Sequence, residues 1–366
     1  MLFDCPRKEL ADAINMANAA SSTRTTLPIY TNLKIEANDN GVRIVGSDQE
    51  LWAERTVSCI ITTPGTVCLN SKLLSDIVNS LSDGDVRIDF SSGTTAEISQ
   101  GESMYKLQTM DPFDFAEPPS IPEENTISLP MGTLRKAIDE VSIAVSADPH
   151  RQVLTGVLFS TDGEKLVLVA TDTHRLCVSK VSTKGSVASF NVIVPEKALK
   201  LIKALPLSDE STIELKFGNS QIGVEANGAK VVAQLLQGQF PNWQRVVPSE
   251  CTRTWQLEIE ELTDKVRRTM IVARDSASRL KFSGDGDQLT ISAKSEERGE
   301  GKETVPMVAT NGDMAIAFNG KYIQDLLGVI DSKGLKIEMT ESTRAALFKP
   351  ADDDQDYFCV IMPMQL

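Results

Sequence analysis

Apolar residues recur along this chain at two spacings, and the two spacings follow each other in a repeating order. In EKALKLIKAL, Ala198, Leu199, Leu201, Ile202 and Leu205 share one face at helical periodicity, and Lys197, Lys200 and Lys203 share the opposite arc. The segments VRIVGSD, LVLVATD and LKIEMTE read as strands. Turns that carry glycine separate such strands at Asn40-Gly41, Asp162-Gly163, Asn227-Gly228 and Asp285-Gly286. Helices are expected over residues 7–19, 72–81, 133–145, 196–204, 259–274 and 321–330.

The order helix, strands, helix, strands occurs three times. Lys72, Lys197 and Lys321 open the second helix of each round and lie 125 and 124 residues apart. A spacing that long marks a domain repeated in tandem rather than a solenoid unit. The joints FAEPPSIPEENTISLP and VVPSECTRTWQLEIE place domains at 1–124, 125–252 and 253–366. Each is long enough to bury its own core, and the short joints predict packed domains. The expected fold class is α+β: three tandem domains, each with two helices packed on antiparallel sheet.

Composition changes this picture little, and charge changes it more. The N-terminus MLFDCPRKEL has no apolar run, so neither a secretion signal nor a membrane span is expected there. The six cysteines are scattered, which predicts free thiols, a reducing cytoplasm and no zinc site. With two histidines, His150 and His174, a histidine-based metal centre is not expected, and no cofactor is called for. The net charge of −14 argues against nucleic acid, yet the six predicted helices together carry +3 and leave −17 to strands and loops. Acid is therefore concentrated away from the helices.

Candidate chemistry is sparse. No phosphate-binding loop, dinucleotide fingerprint, nucleophile elbow or HExxH occurs. Asp172 and His174 in ATDTHRL would share one face of a strand and could form a hydrolytic base, but no nucleophile accompanies them; a polar turn after a buried strand is the competing reading. Two other segments stand out, GQFPNWQRVVP around Arg245 and the apolar C-terminus YFCVIMPMQL. Pro363 cannot continue a strand ladder, so Met362, Pro363, Met364 and Leu366 read as an adaptable apolar docking surface.

The threefold repeat, TLPIYTNL, ATDTHRL, VPEK, GQFPNWQRVVP and the terminal MPMQL together resemble the bacterial sliding clamps, the β subunits of DNA polymerase III, over the whole chain. Two positions depart: Thr173 stands where that family usually has Gly, and Gln365 where Arg is common. The resemblance implies a non-enzymatic processivity factor in the cytoplasm. Half of a head-to-tail dimeric ring would be one chain, with duplex DNA, replicative and repair polymerases, a clamp loader and a second copy of itself as partners, and no membrane. Helix packing agrees. Six helices about 8–10 Å apart close too small a circle, and twelve leave a passage of roughly 25 Å for a duplex roughly 20 Å across.

The resemblance also implies three residue sets. A partner-peptide pocket would comprise Leu154, Thr171, Thr173, His174, Arg175, Leu176, Pro241, Arg245, Val246, Ala346, Val360, Met362, Pro363, Met364 and Leu366. Residues facing DNA would be Arg24, His150, Arg151, Lys197, Lys200 and Lys203. The dimer interface would use Met104, Tyr105 and Leu107 against Ile271 and Val272. Two alternatives remain beside this reading: a specialised clamp copy that binds partner peptides but loads poorly, and a hydrolase built on Asp172 and His174.

Overall fold

The computed structural model describes the chain except residues 23–24, 92, 162–164, 184–188, 275–276 and 353–355. Arg24 and the Asp162-Gly163 turn lie outside the described residues. The six expected helices are present as α1 Arg7–Ala20, α2 Ser71–Ser80, α3 Met131–Ser142, α4 Glu196–Lys203, α5 Ile259–Ala273 and α6 Gly320–Leu327. Local chemistry starts two of them. Asn70 Oδ1 accepts from Leu73 N at 3.0 Å ahead of α2, and Asn319 Oδ1 accepts from Lys321 N at 3.0 Å ahead of α6. In α4, Ala198, Leu199, Leu201 and Ile202 are buried, as their periodicity requires. None of the described helices is long and apolar enough to cross a membrane.

The chain packs as two compact units. The first holds Met1–Leu134 with Val194–Leu236, and the second Arg135–Ile193 with Gln237–Leu366. The strands of the middle repeat are thus divided between the units. In the first unit thirteen strands form one antiparallel sheet. Asn125–Pro130, Thr212–Phe217, Gln221–Ala226 and Ala229–Gln234 continue through Leu51–Val57, Gly41–Ser47, Asn32–Asn38 and Gly65–Asn70 to Ser103–Met110, Thr95–Gln100, Asp85–Asp89, Leu2–Pro6 and Ile60–Thr63. The seam between repeats is the pairing of Val231 with Ala53. Helix α1 lies on this sheet so closely that a Cβ on Gly46 would sit 1.9 Å from Ala17 O. Phe3, Leu10, Ile14, Leu33, Ile35 and Ile44 fill the core beneath it.

The second unit has a nine-stranded and a four-stranded sheet. The first runs Phe190–Pro195, Gly156–Thr161, Lys165–Thr171, Arg175–Ser182, Tyr357–Ile361, Ala346–Pro350, Gly334–Met339, Arg253–Glu258 and Val308–Thr310. The second runs Gly299–Pro306, Gln288–Ser295, Arg279–Asp285 and Met314–Asn319. Phe318 joins their cores, meeting Phe282 edge-on at 5.6 Å and Phe348 at 5.3 Å between ring centroids.

The expectation of free thiols throughout is corrected at one place. Cys5, in strand Leu2–Pro6, and Cys59, just ahead of strand Ile60–Thr63, form a disulfide. Strand Leu2–Pro6 pairs with Ile60–Thr63 through Asp4 and Ile60, which sets the two cysteines side by side although 54 residues separate them. Cys68, Cys177, Cys251 and Cys359 are free. Wide spacing of cysteines along the chain therefore does not by itself indicate a reducing compartment.

Candidate functional site

The turn Asp172 to His174 links strand Lys165–Thr171 to strand Arg175–Ser182. Asp172 builds it: Oδ1 accepts from the backbone N of His174 and of Arg175 at 2.9 Å each, and Oδ2 from Arg175 Nε at 3.1 Å. The expectation that Asp172 and His174 share a strand face is therefore corrected. Both residues lie in the turn, and the Asp172 carboxylate is given to the turn's backbone and to Arg175. The polar-turn reading is the one observed, and it leaves no catalytic dyad here.

Thr173 sits at the tip with φ +78°, a conformation that glycine adopts freely and a β-branched residue rarely does. Side-chain bonds hold it. Thr173 Oγ1 accepts from Arg151 Nη1 at 2.8 Å, Thr173 N donates to Thr171 Oγ1 at 3.1 Å, and Thr171 Oγ1 donates to Arg175 O at 2.7 Å. Arg175 is 8% exposed, with Nη1 2.8 Å from Asp325 Oδ2 and its guanidinium 4.2 Å over the Tyr322 ring, both on α6. Burial works against its charge, but Asp325 and Asp172 outweigh burial and hold the guanidinium above its usual range. Sequence reasoning missed Tyr322 and Asp325. Their spacing of three residues on one helix face was visible, but nothing local ties that face to Arg175.

The C-terminal segment completes the site. Tyr357–Ile361 pairs with Arg175–Ser182 through Leu176 and Val360, and with Ala346–Pro350 through Ala346 and Ile361. Beyond it the tail is held by its backbone. Met362 N donates to His174 O at 2.9 Å, Met364 N donates to Ala317 O at 2.7 Å, and Gln365 O accepts from Arg279 Nη1 at 3.2 Å. Pro363 breaks the ladder, as its missing N–H requires, and Met364 resumes it against another sheet. Leu154, Leu176, Ala346 and Val360 are buried, while Met362 is 47% and Leu366 57% exposed. The structure thus brings together His174, Leu176, Ala346, Val360 and the tail.

Arg245 and Val246 are exposed on the one-turn helix Trp243–Val246. The segment before it approaches Gln152–Leu154, where a Cβ on Gly238 would lie 2.7 Å from Val153 Cγ1. Pro241 lines a groove of about 420 Å³ with Leu158, Ile193, Phe240 and Trp243, none of which was in the expected set. Cys359, fully buried beside Cys177, is pushed well above the usual thiol range by burial, which makes it a packing group.

Of the residues expected to face DNA, His150 is exposed, with its N on Asp148 Oδ1 at 3.0 Å. Arg151 is committed to Thr173 and lies 3.5 Å from Asp148. Lys197 pairs with Asp48 at 2.5 Å and Lys200 with Glu196 at 2.8 Å, so the lysine face of α4 is partly neutralised; Lys203 is half-buried. Lys197 and Lys200 also line a groove of about 510 Å³ with Asp12, Asn15, Met16 and Arg55. Of the expected interface residues, Met104, Tyr105 and Ile271 are exposed at 58%, 39% and 59%. Leu107 packs partly against the core, and Val272 is half-buried against Gly301.

Comparison with known proteins supplies the context. Three family models match in order: the DNA polymerase III beta subunit N-terminal domain over 1–119, its central domain over 128–242 and its C-terminal domain over 244–365. The beta sliding clamps of Staphylococcus epidermidis and Staphylococcus aureus are each 29% identical over 364 residues, covering 97% of both chains. The DNA polymerase sliding clamp of Bacillus subtilis superposes with a TM-score of 0.92 at 25% identity, covering 100% of this chain and 99% of that one. A putative DNA polymerase III beta subunit of Eubacterium rectale superposes at 0.91 and 25% identity, covering 100% of both.

Proposed function

This chain belongs to the DNA polymerase III beta subunit family, and on that premise we propose that it is a processivity factor for DNA polymerases. It has no catalytic role. Two copies, each of three domains spanning 1–124, 125–252 and 253–366, close head to tail around duplex DNA in the cytoplasm and slide along it. Replicative and repair polymerases, and the loader that opens the ring, bind by short apolar peptides at the turn-and-tail site. Ring closure uses Met104, Tyr105 and Leu107 of one copy against Ile271 and Val272 of the other, and His150, Lys197, Lys200 and Lys203 are among the residues that meet phosphates.

The observation that carries this reading is the tail. Met362, Met364 and Gln365 are each fixed through the backbone while Met362 and Leu366 keep their side chains half in solvent. A rigid backbone that presents apolar side chains suits docking, because little ordering cost remains when a ligand arrives. Mild positive charge on helices of an acidic chain suits sliding, since phosphates attract without base readout.

The test is topological. Loaded onto nicked circular DNA, the protein should stay bound through gel filtration, and cutting the circle should release it. Retention on the linear form would defeat the ring. A second reading, a specialised copy that binds peptides but loads poorly, is favoured by Thr173 in its strained turn and by Gln365. In that case peptide binding persists while retention on circles fails.

A further inference from the structure

We propose that the outer face of the four-stranded sheet docks acidic segments of partner peptides, as a continuation of the turn-and-tail site; this rests on the peptide-binding reading above. Alternation creates the face. Along Arg279–Asp285, Leu280 and Phe282 point into the core, and Arg279 and Lys281 point out and are exposed. Register then aligns cations across three strands, because Lys281 lies opposite Ser292, Ser292 opposite Lys302, and Lys294 opposite Glu300. Lys294 is paired with Glu300 at 2.8 Å. Among the described residues, Arg279, Lys281 and Lys302 take part in no ion pair. The face therefore carries an excess of positive charge on a chain of net charge −14.

The face is also continuous with the tail. The four basic residues line a concavity of about 400 Å³ together with Ala317 and Leu366. Lys281 lies opposite Ala317, whose carbonyl holds Met364. Arg279 itself holds the Gln365 carbonyl. Arg279 thereby sets a guanidinium at the end of the tail. A ligand here meets exposed Leu366 and unpaired cations together, a combination that fits a peptide with apolar anchors and adjoining Asp or Glu. Phosphates of DNA would use the cations and gain nothing from the leucine.

The experiment uses two fluorescein-labelled peptides with the same leucine anchors, flanked on both sides either by aspartates or by asparagines, titrated by fluorescence anisotropy. The aspartate peptide should bind about five-fold tighter at low salt, and the preference should vanish at high salt. In the variant Lys281→Glu with Lys302→Glu, chosen to leave the Arg279 contact with the tail intact, the preference should disappear while the asparagine peptide binds as before. Equal affinity of the two peptides for the unmodified protein overturns this inference alone. A preference that survives in the variant also overturns it. Binding of neither peptide overturns the peptide site and this inference with it. A short duplex that displaces the aspartate peptide through Lys281 and Lys302 assigns the face to nucleic acid and overturns it too.

Discussion

Glu140 shows at a single residue how burial sets a pH response. It sits on α3 at 4% exposure, and Ser179 Oγ donates to its Oε2 at 2.6 Å. Burial raises its pKa above the ordinary 4.5, and the Ser179 bond and Lys136 only partly oppose this. An acid whose folded pKa is raised contributes stability that is full below its unfolded pKa and is lost as pH rises through the folded value. Glu140→Gln keeps an acceptor for Ser179 and removes the charge. Relative to the unmodified protein the variant should gain stability as pH rises from about 4 to about 8, because only the unmodified protein must then bury a charge. Urea midpoints at the two pH values measure this, and an equal difference at both would reject the assignment. Nothing in the sequence marked Glu140, because its partner Ser179 lies 39 residues away on another element. Thr173 was different. Its departure from glycine was legible as added bulk, but the left-handed backbone that makes the departure costly was not.

At the scale of elements, the sequence carried whatever depends on local periodicity and capping. The buried face of α4 follows from its apolar spacing, and the Asn-Gly turn at Asn227 and Gly228 takes positive φ at both residues, 50° and 73°. Pairings between distant strands were not legible, since alternation fixes a face but not a neighbour. That is why Leu176 beside Val360, and Cys5 joined to Cys59, had to come from the fold or from family resemblance. The tail was half legible: Pro363 marked the end of a strand, while the hydrogen bonds on either side of it gave no sequence signal. Deleting Met362–Leu366 removes the bonds of Met362 to His174 and of Met364 to Ala317. The freed carbonyl of exposed His174 can turn to water, while that of buried Ala317 loses its partner, so the cost in stability should be about 1–3 kcal/mol for the pair. Peptide affinity should fall below detection in anisotropy while the sedimentation coefficient stays that of the intact assembly. Peptide binding that survives the truncation would place the docking site elsewhere.

At the scale of the molecule, the tandem repeat was the clearest signal, and its consequence for packing was the least legible one. The chain repeats three times yet packs as two units, because strands of the middle repeat add to the sheets of both its neighbours. Sheets that extend by strand addition leave edges. Strand Ser103–Met110 pairs along one side with Thr95–Gln100 but meets Gly65–Asn70 only at Thr109 and Met110. Strand Gly299–Pro306 lies at one edge of its sheet. Exposed Met104 and Tyr105 lie on the first, and Ile271 projects from α5, which packs on the sheet bearing the second. Exposed edges flanked by apolar side chains invite pairing with another chain. Two different patches on one chain make a contact of unlike surfaces, which closes only if rotation returns to the start, and two copies are the fewest that can close it. The intact protein should therefore sediment at twice its 39.9 kDa chain mass at micromolar concentration. Ile271→Asp with Val272→Asp would bury unpaired charge in that contact, costing about 3–5 kcal/mol at each of two seams, and should yield monomers. The variant should still bind peptide, because the turn and the tail are built without those residues. A variant that remains dimeric would move the seam away from α5, and an unmodified protein that sediments as a monomer would leave the six helices of one chain unable to surround a duplex.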